Sequence, residues 1–204
     1  MHILIRSAKE QKDILLEKNI SPELEISWFE NEIVDADCYL DLLFETEEPI
    51  FESICNKPVI VNSAIKPCNK LPENYCRING WNGFLEKELL ETATNNVKLQ
   101  PVFKLILENL GFKPTFVADI IGFVSLRAIA MIINEAYFGL EDEISSKTDI
   151  DTAMKLGTNY PYGPFEWGEK IGLKNISNLL IELAKTDSRY QPCTWLLREA
   201  GLSF

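Results

Sequence analysis

The sequence predicts an α/β half built on a parallel sheet, followed by an all-helical half. Three observations carry that prediction. Short apolar runs alternate with helix-like segments up to about residue 118, the pattern of strand–helix units around a parallel sheet. From Val97 onward apolar residues recur every three or four positions, the helical period. The chain has 204 residues, 46% of them hydrophobic, which is enough for one sizeable core or two small ones.

Each element follows from local pattern. His2 to Ile5 is a short apolar run, and Ser7 to Asn19 reads as a helix. Glu23 to Phe29, opened by Ser21-Pro22, is a second strand candidate. Cys38 to Phe44 is nearly continuously apolar, as suits a strand buried on both faces. Pro49 to Cys55 fits a helix, Val59 to Val61 another buried strand, and Tyr75 to Ile78 a shorter one. Val97 to Asn109 is amphipathic, with Gly111 placed as a helix C-cap. Pro114 to Ala118 reads as the last strand. Asp119 is then placed to cap a long helix reaching about Leu140. That helix carries apolar residues on nearly every face, which predicts enclosure by neighbours or by a partner subunit. Thr148-Asp149 starts a helix that Gly157 ends, and Leu173 to Lys185 and Thr194 to Ala200 complete the helical half. The predicted domains are residues 1–118 and 119–204, with no internal repeat or low-complexity linker.

Composition narrows the function. A formal net charge of −11 repels phosphate backbones, so no nucleic acid is expected as a partner. The five cysteines, Cys38, Cys55, Cys68, Cys76 and Cys193, are odd in number and show no C-x-x-C spacing, which fits a reduced, cytoplasmic setting. The one histidine is His2, so no metal site is expected. The N-terminus lacks a signal-peptide pattern, and the longest apolar stretch, around Ala128 to Ile133, is too short to span a bilayer. Trp81, Trp167 and Trp195 read as packing residues, Glu45-Thr-Glu-Glu48 as a solvated turn, and Tyr160 to Phe165 as a rigid connection between helices.

Two spaced signatures stand out in the helical half. One is Asp119-Ile-Ile-Gly122-Phe123-Val-Ser-Leu126-Arg127 with Asn134-Glu135-Ala136 further on. The other is Asp149-Ile-Asp-Thr-Ala-Met-Lys-Leu-Gly157, followed by Tyr162-Gly-Pro-Phe-Glu166 and running to Leu173. Together they resemble the C-terminal domain of the 3-hydroxyacyl-CoA dehydrogenase family, although Glu169 stands where an Asp is usual and Leu126 where an Asn is usual. The α/β half is similar in four shorter segments: Val34 to Glu45, Val61-Asn-Ser-Ala64, Arg77 to Asn82 and Glu88-Leu-Leu-Glu91. The resemblance implies a shortened Rossmann-like parallel sheet. After it would come a helical domain of the type that ends 6-phosphogluconate dehydrogenase.

The resemblance also implies NAD-dependent hydride transfer, and residue by residue that chemistry is missing. Members bind the dinucleotide at a glycine-rich turn after the first strand, where the backbone approaches the pyrophosphate. Here the turn is Ile5-Arg6-Ser7-Ala8-Lys9-Glu10-Gln11, without glycine. The candidate cofactor-binding residues are Arg6, Ser7, Asp41, Glu45 and Asn62. The family base is a histidine tuned by a glutamate. Its position falls on Asn82, or on Trp81 if the register slips by one, and an amide is no general base. Glu91 falls where the partner glutamate would be and reads as an exposed helix residue. The supporting serine and asparagine fall on Ala64, with Ser63 beside it, and on Leu126. The segment between the second strand and Asp37 is also short, so the helical hairpin that covers the acyl-CoA in the family is absent.

The expected protein is therefore a 3-hydroxyacyl-CoA dehydrogenase-like chain of fatty-acid metabolism lineage. It lacks dehydrogenase activity and acts as a ligand-binding or partner protein, as a homodimer through its helical domain, with an acyl-CoA or a nucleotide as ligand. The alternative is an active NAD-dependent 3-hydroxyacyl-CoA (3-hydroxybutyryl-CoA) dehydrogenase with a rearranged site and Glu91 or Asp41 as base. A third possibility is a structural partner that completes a larger complex.

Overall fold

In the computed structural model, which describes residues 1–202, the apolar runs of the first half become one sheet. Strands β1 (His2–Arg6), β3 (Cys38–Asp41), β4 (Val59–Asn62) and β5 (Tyr75–Ile78) are buried along nearly their whole length. Continuous apolar runs produce this because both faces of a parallel sheet are covered. β2 (Glu25–Trp28) is half-buried at one edge, and β6 (Leu89–Ala93) and β7 (Lys113–Phe116) extend the other side. The order is β2-β1-β3-β4-β5-β6-β7. All neighbours run parallel except β5 and β6. Pro114 sits in β7, which pairs only with β6, as a residue without an N–H requires.

Alternation along the strands splits the core. Ile3, Ile5, Leu40, Ile60 and Ile78 pack beneath Leu15 of α1 (Lys9–Leu16) and Phe103, Ile106 and Leu107 of α2 (Gln100–Asn109). Leu4, Tyr39, Val59, Val61 and Tyr75 face the other way and are covered by Phe44 and Phe51. Pro49 to Cys55, expected as a helix, is irregular. Its carbonyls are taken by side chains: Tyr75 Oη donates to Phe51 O at 3.0 Å and Asn74 Nδ2 to Ile54 O at 2.8 Å. β3 stops three residues short of Phe44 because the Asp41 carboxylate accepts Leu43 N–H at 3.0 Å and turns the chain.

Two compact units divide at residue 123: Met1–Phe123, and the helices from Val124 on. The second unit holds α3 (Ser125–Glu141), α4 (Lys147–Thr158), α5 (Pro164–Ile171), α6 (Leu173–Ala184) and α7 (Thr194–Glu199). α3 begins six residues after Asp119, which caps no helix; its carboxylate belongs to Arg77 and the Cys68 amide instead. α4 runs through Gly157 and stops at Asn159, in the left-handed region at φ 56°. Leu126, Ile133, Tyr137, Phe165, Trp167, Ile176, Leu180 and Leu197 are among its buried residues, with the Tyr137 and Phe165 rings 5.0 Å apart. Among the described residues, no helix is long and apolar enough to cross a membrane.

Candidate functional site

In an open parallel sheet, ligands bind outside the carboxyl ends of the strands where the winding direction reverses. Here β1 is flanked by β2 on one side and β3 on the other, so that point lies between β1 and β3. Arg6 and Asp41 are register partners at those two strand ends. Both are buried, and the Arg6 guanidinium lies 3.2 Å from Asp41 Oδ2. It also donates to Glu48 O at 2.8 Å and to Glu47 Oε2 at 2.5 Å. Burial raises the Asp41 pKa, opposed by the Arg6 charge and the Leu43 N–H. Ser7 is half-buried beside this pair. α1 has Ala8 at its N-cap, without a side-chain oxygen to offer. Gln11 reaches back instead: its Oε1 accepts Ala8 N–H at 3.0 Å and its Nε2 donates to Leu42 O at 3.2 Å.

The next strand ends are knitted the same way. Asn62, closing β4, donates to Leu42 O at 3.2 Å and accepts Gly80 N–H at 3.0 Å. The two oxygens of Glu45 are engaged separately: Ile65 N–H at 2.6 Å on one and Trp81 Nε1–H at 3.1 Å on the other. Ser63 Oγ–H donates to Lys66 O at 2.9 Å. The carbonyls of Ser63 and Ala64 accept from Arg77 Nη1 at 3.1 and 3.2 Å. The acidic cluster is a turn with Thr46, Glu47 and Glu48 exposed, in which Glu45 holds the 63–66 turn and Glu47 meets Arg6.

Glu91 is neither helical nor exposed. It lies in β6, buried, where antiparallel pairing of Ile78 with Thr92 brings Asn79 directly opposite. Asn79 Nδ2 donates to Glu91 Oε2 at 3.1 Å, and Asn79 N–H to Glu91 O at 3.0 Å. Asn79 is thus one partner of this glutamate; Asn82 lies three residues further on and is half-buried, and Trp81 turns to Glu45. Ala64 is fully buried in the 63–66 turn. Leu126 is buried within α3 of the second unit. Arg6, Asp41, Glu45 and Asn62 thus gather along neighbouring strand ends. Gln11, Arg77 and Asn79, which complete their hydrogen bonding, were not singled out from sequence. The Asn79–Glu91 spacing of twelve would have pointed to the pair once β6 was read as a strand.

The longest motif of the second unit is a packing device. The Asp151 carboxylate, buried in α4, accepts Phe165 N–H at 2.8 Å and Glu166 N–H at 3.3 Å, capping α5 from fourteen residues away. Gly163 makes the approach possible, since a Cβ there would lie 2.3 Å from Asp151 Oδ1. Pro164 then begins α5 with its preset φ.

Residues 122–201 match the family model for the C-terminal domain of 3-hydroxyacyl-CoA dehydrogenase. The helical half is a 3-hydroxyacyl-CoA dehydrogenase C-terminal domain. The chain is 48% identical over 98 residues to 3-hydroxyadipyl-CoA dehydrogenase of Escherichia coli, covering 47% of this chain and 20% of that one. It is 28% identical over 193 residues to 3-hydroxybutyryl-CoA dehydrogenase of Bradyrhizobium diazoefficiens, covering 84% of this chain and 66% of that one. The chain thus spans between a fifth and two thirds of the length of these two relatives. The crystal structure of (S)-3-hydroxybutyryl-CoA dehydrogenase from Ralstonia eutropha superposes with a TM-score of 0.75 over 98% of this chain and 94% of that one, at 18% identity. The fold is that of 3-hydroxyacyl-CoA dehydrogenases: a Rossmann-like sheet followed by the helical C-terminal domain.

Proposed function

We propose that this 3-hydroxyacyl-CoA dehydrogenase-like chain performs no NAD-dependent hydride transfer and serves as a ligand-binding or partner protein. The observation that carries this reading is the Asn79–Glu91 couple. Hydride transfer to or from a hydroxyl-bearing carbon needs a group that exchanges a proton near neutral pH. Asn79, hydrogen-bonded to the buried glutamate, offers an amide, which cannot do so, and the one histidine of the sequence, His2, lies in β1.

The residues at the crevice also do not fit a dinucleotide. A pyrophosphate needs close backbone approach at the start of α1, and that turn carries the side chains of Arg6, Ser7 and Ala8. Arg6, the cation nearest to hand, already has two carboxylates and a carbonyl. Asp41 and Glu45, which could accept ribose hydroxyls, are held by Arg6 and by Trp81 with Ile65.

As partner we propose a second copy of the chain, joined through the helical unit. In its support, Ile144 and Leu156 are 74% and 84% exposed. An apolar groove of about 340 Å³ also runs between α3 and α4, lined by Ile132, Ala136, Gly139, Ile150 and Met154. Light scattering of the purified chain should give twice the monomer mass; a monomer at micromolar concentration would refute this part.

Calorimetric titration with NAD and NADH tests the main reading. No heat of binding is expected at millimolar cofactor. Saturable binding together with oxidation of 3-hydroxybutyryl-CoA would overturn it and establish the active alternative.

A further inference from the structure

The first unit contains a charge that no catalytic or binding expectation uses. Arg77, in β5, is completely buried. Its Nε lies 2.8 Å from Asp119 Oδ1, and its Nη1 donates to Ser63 O and Ala64 O. Its Nη2 donates to Ile120 O, and the guanidinium stacks 4.2 Å from the Phe123 ring centroid. Asp119 in turn accepts Cys68 N–H at 2.9 Å, and Gly122 N–H donates to Ala64 O at 2.7 Å. One side chain therefore fastens residues 119–123 to the ends of β4 and β5.

That segment is where the first unit ends. Its last two residues both have positive φ, 78° at Gly122 and 51° at Phe123. Glycine adopts this region freely; a bulky aromatic residue rarely does, and persists there only when its surroundings impose it. Phe123 is fully buried with its ring against Arg77, so the surroundings that impose it are in view.

We propose that Arg77 is a latch that sets the direction in which the chain leaves the first unit, by holding Asp119–Phe123 in this left-handed turn. The planar fork of an arginine suits the task. It meets a carboxylate and three carbonyls in different directions while presenting a flat face to an aromatic ring. A lysine ammonium has three donors and no such face. Without the fork, Phe123 relaxes towards negative φ and the exit direction is no longer fixed.

Hydrogen exchange on Arg77→Met, with Arg77→Lys beside it, tests this. The Gly122 and Cys68 amides should exchange at least about tenfold faster in both variants, while the Phe29 and Leu42 amides, bonded to Ile5 O and Arg6 O, keep their wild-type rates. Unchanged Gly122 and Cys68 rates, or equal acceleration of all four amides, would each overturn the proposal. If neither Arg77 variant folds, Asp119→Asn is measured the same way. It removes the countercharge at a residue that is only partly buried, and the same outcomes decide.

Discussion

Replacing Arg6 by methionine separates a structural ion pair from a ligand-binding cation. The variant keeps side-chain bulk but leaves Asp41 buried without its countercharge. Removing one partner of a buried pair typically costs about 3–5 kcal/mol. The lower end applies here, because Asp41 retains the Leu43 N–H and the Arg6–Glu47 contact involves a half-exposed glutamate worth little. A loss of about 3 kcal/mol corresponds to roughly 6–12 °C in Tm for a chain of this size. The pH dependence has a definite sign. Burial, opposed by Arg6, leaves the folded-state pKa of Asp41 raised. Folding thus favours its protonated form. The associated stability is complete below the ordinary aspartate value and is lost as pH rises through the raised one. Without Arg6 the pKa rises further, so the difference between variant and wild type shrinks as pH falls, by up to about 1.4 kcal/mol per unit. Urea denaturation at about pH 7.5 and about pH 5 measures both quantities. Arg6→Met combined with Asp41→Asn should recover about 2 kcal/mol relative to the sum of the single variants. A loss below about 1 kcal/mol at neutral pH, or one that grows on acidification, would refute the reasoning.

Three further outcomes follow from the same geometry. Asn79→His places an imidazole beside Glu91, yet NADH formation from 3-hydroxybutyryl-CoA should stay at background, because the turn after β1 still carries Arg6, Ser7 and Ala8 instead of glycine; measurable turnover would show that the crevice admits the cofactor. Asp151→Ala strips the acceptor from two N–H groups of α5 and should cost about 1–2 kcal/mol in urea denaturation. Gly163→Ala should cost more than that, through the clash with the Asp151 carboxylate, and should be largely relieved in the Asp151→Ala background; additive losses would argue against the close approach.

The central strands were legible because burial on both faces writes itself as an uninterrupted apolar run, as in Cys38 to Leu40 and Val59 to Val61. β6 left no such mark. It is short, opens on an exposed Leu89, and carries Glu91 inward, so its sequence is no continuous apolar run. The start of α3 was misplaced for a different reason. Asp119 has the residue type of an N-cap, but a carboxylate goes to the strongest available donor, and the fully buried Arg77 outcompetes a helix end. α5 was missed because its cap comes from Asp151 on another helix, a tertiary interaction that no window around residue 164 contains.

At the crevice, sequence identified side chains that the fold brings together, and the structure adds their partners within the chain. Arg6, Asp41, Glu45 and Asn62 were read as groups that could meet a cofactor, and they do lie together along neighbouring strand ends. Each meets another part of the same chain: Arg6 with Asp41, Glu45 with Trp81 and Ile65, Asn62 with Leu42 and Gly80. A hydrogen-bonding group looks the same in sequence whether its partner is a ligand or a carbonyl forty residues away; only register decides. The same logic applies to one contact in each unit. The Asp151–Gly163 approach needs its residue types to pack α4 against α5, and it works whether or not any substrate binds. The Asn79–Glu91 contact satisfies a buried carboxylate equally well with an amide or an imidazole. Folding therefore asks only for a hydrogen-bond donor opposite Glu91, and an amide meets that need.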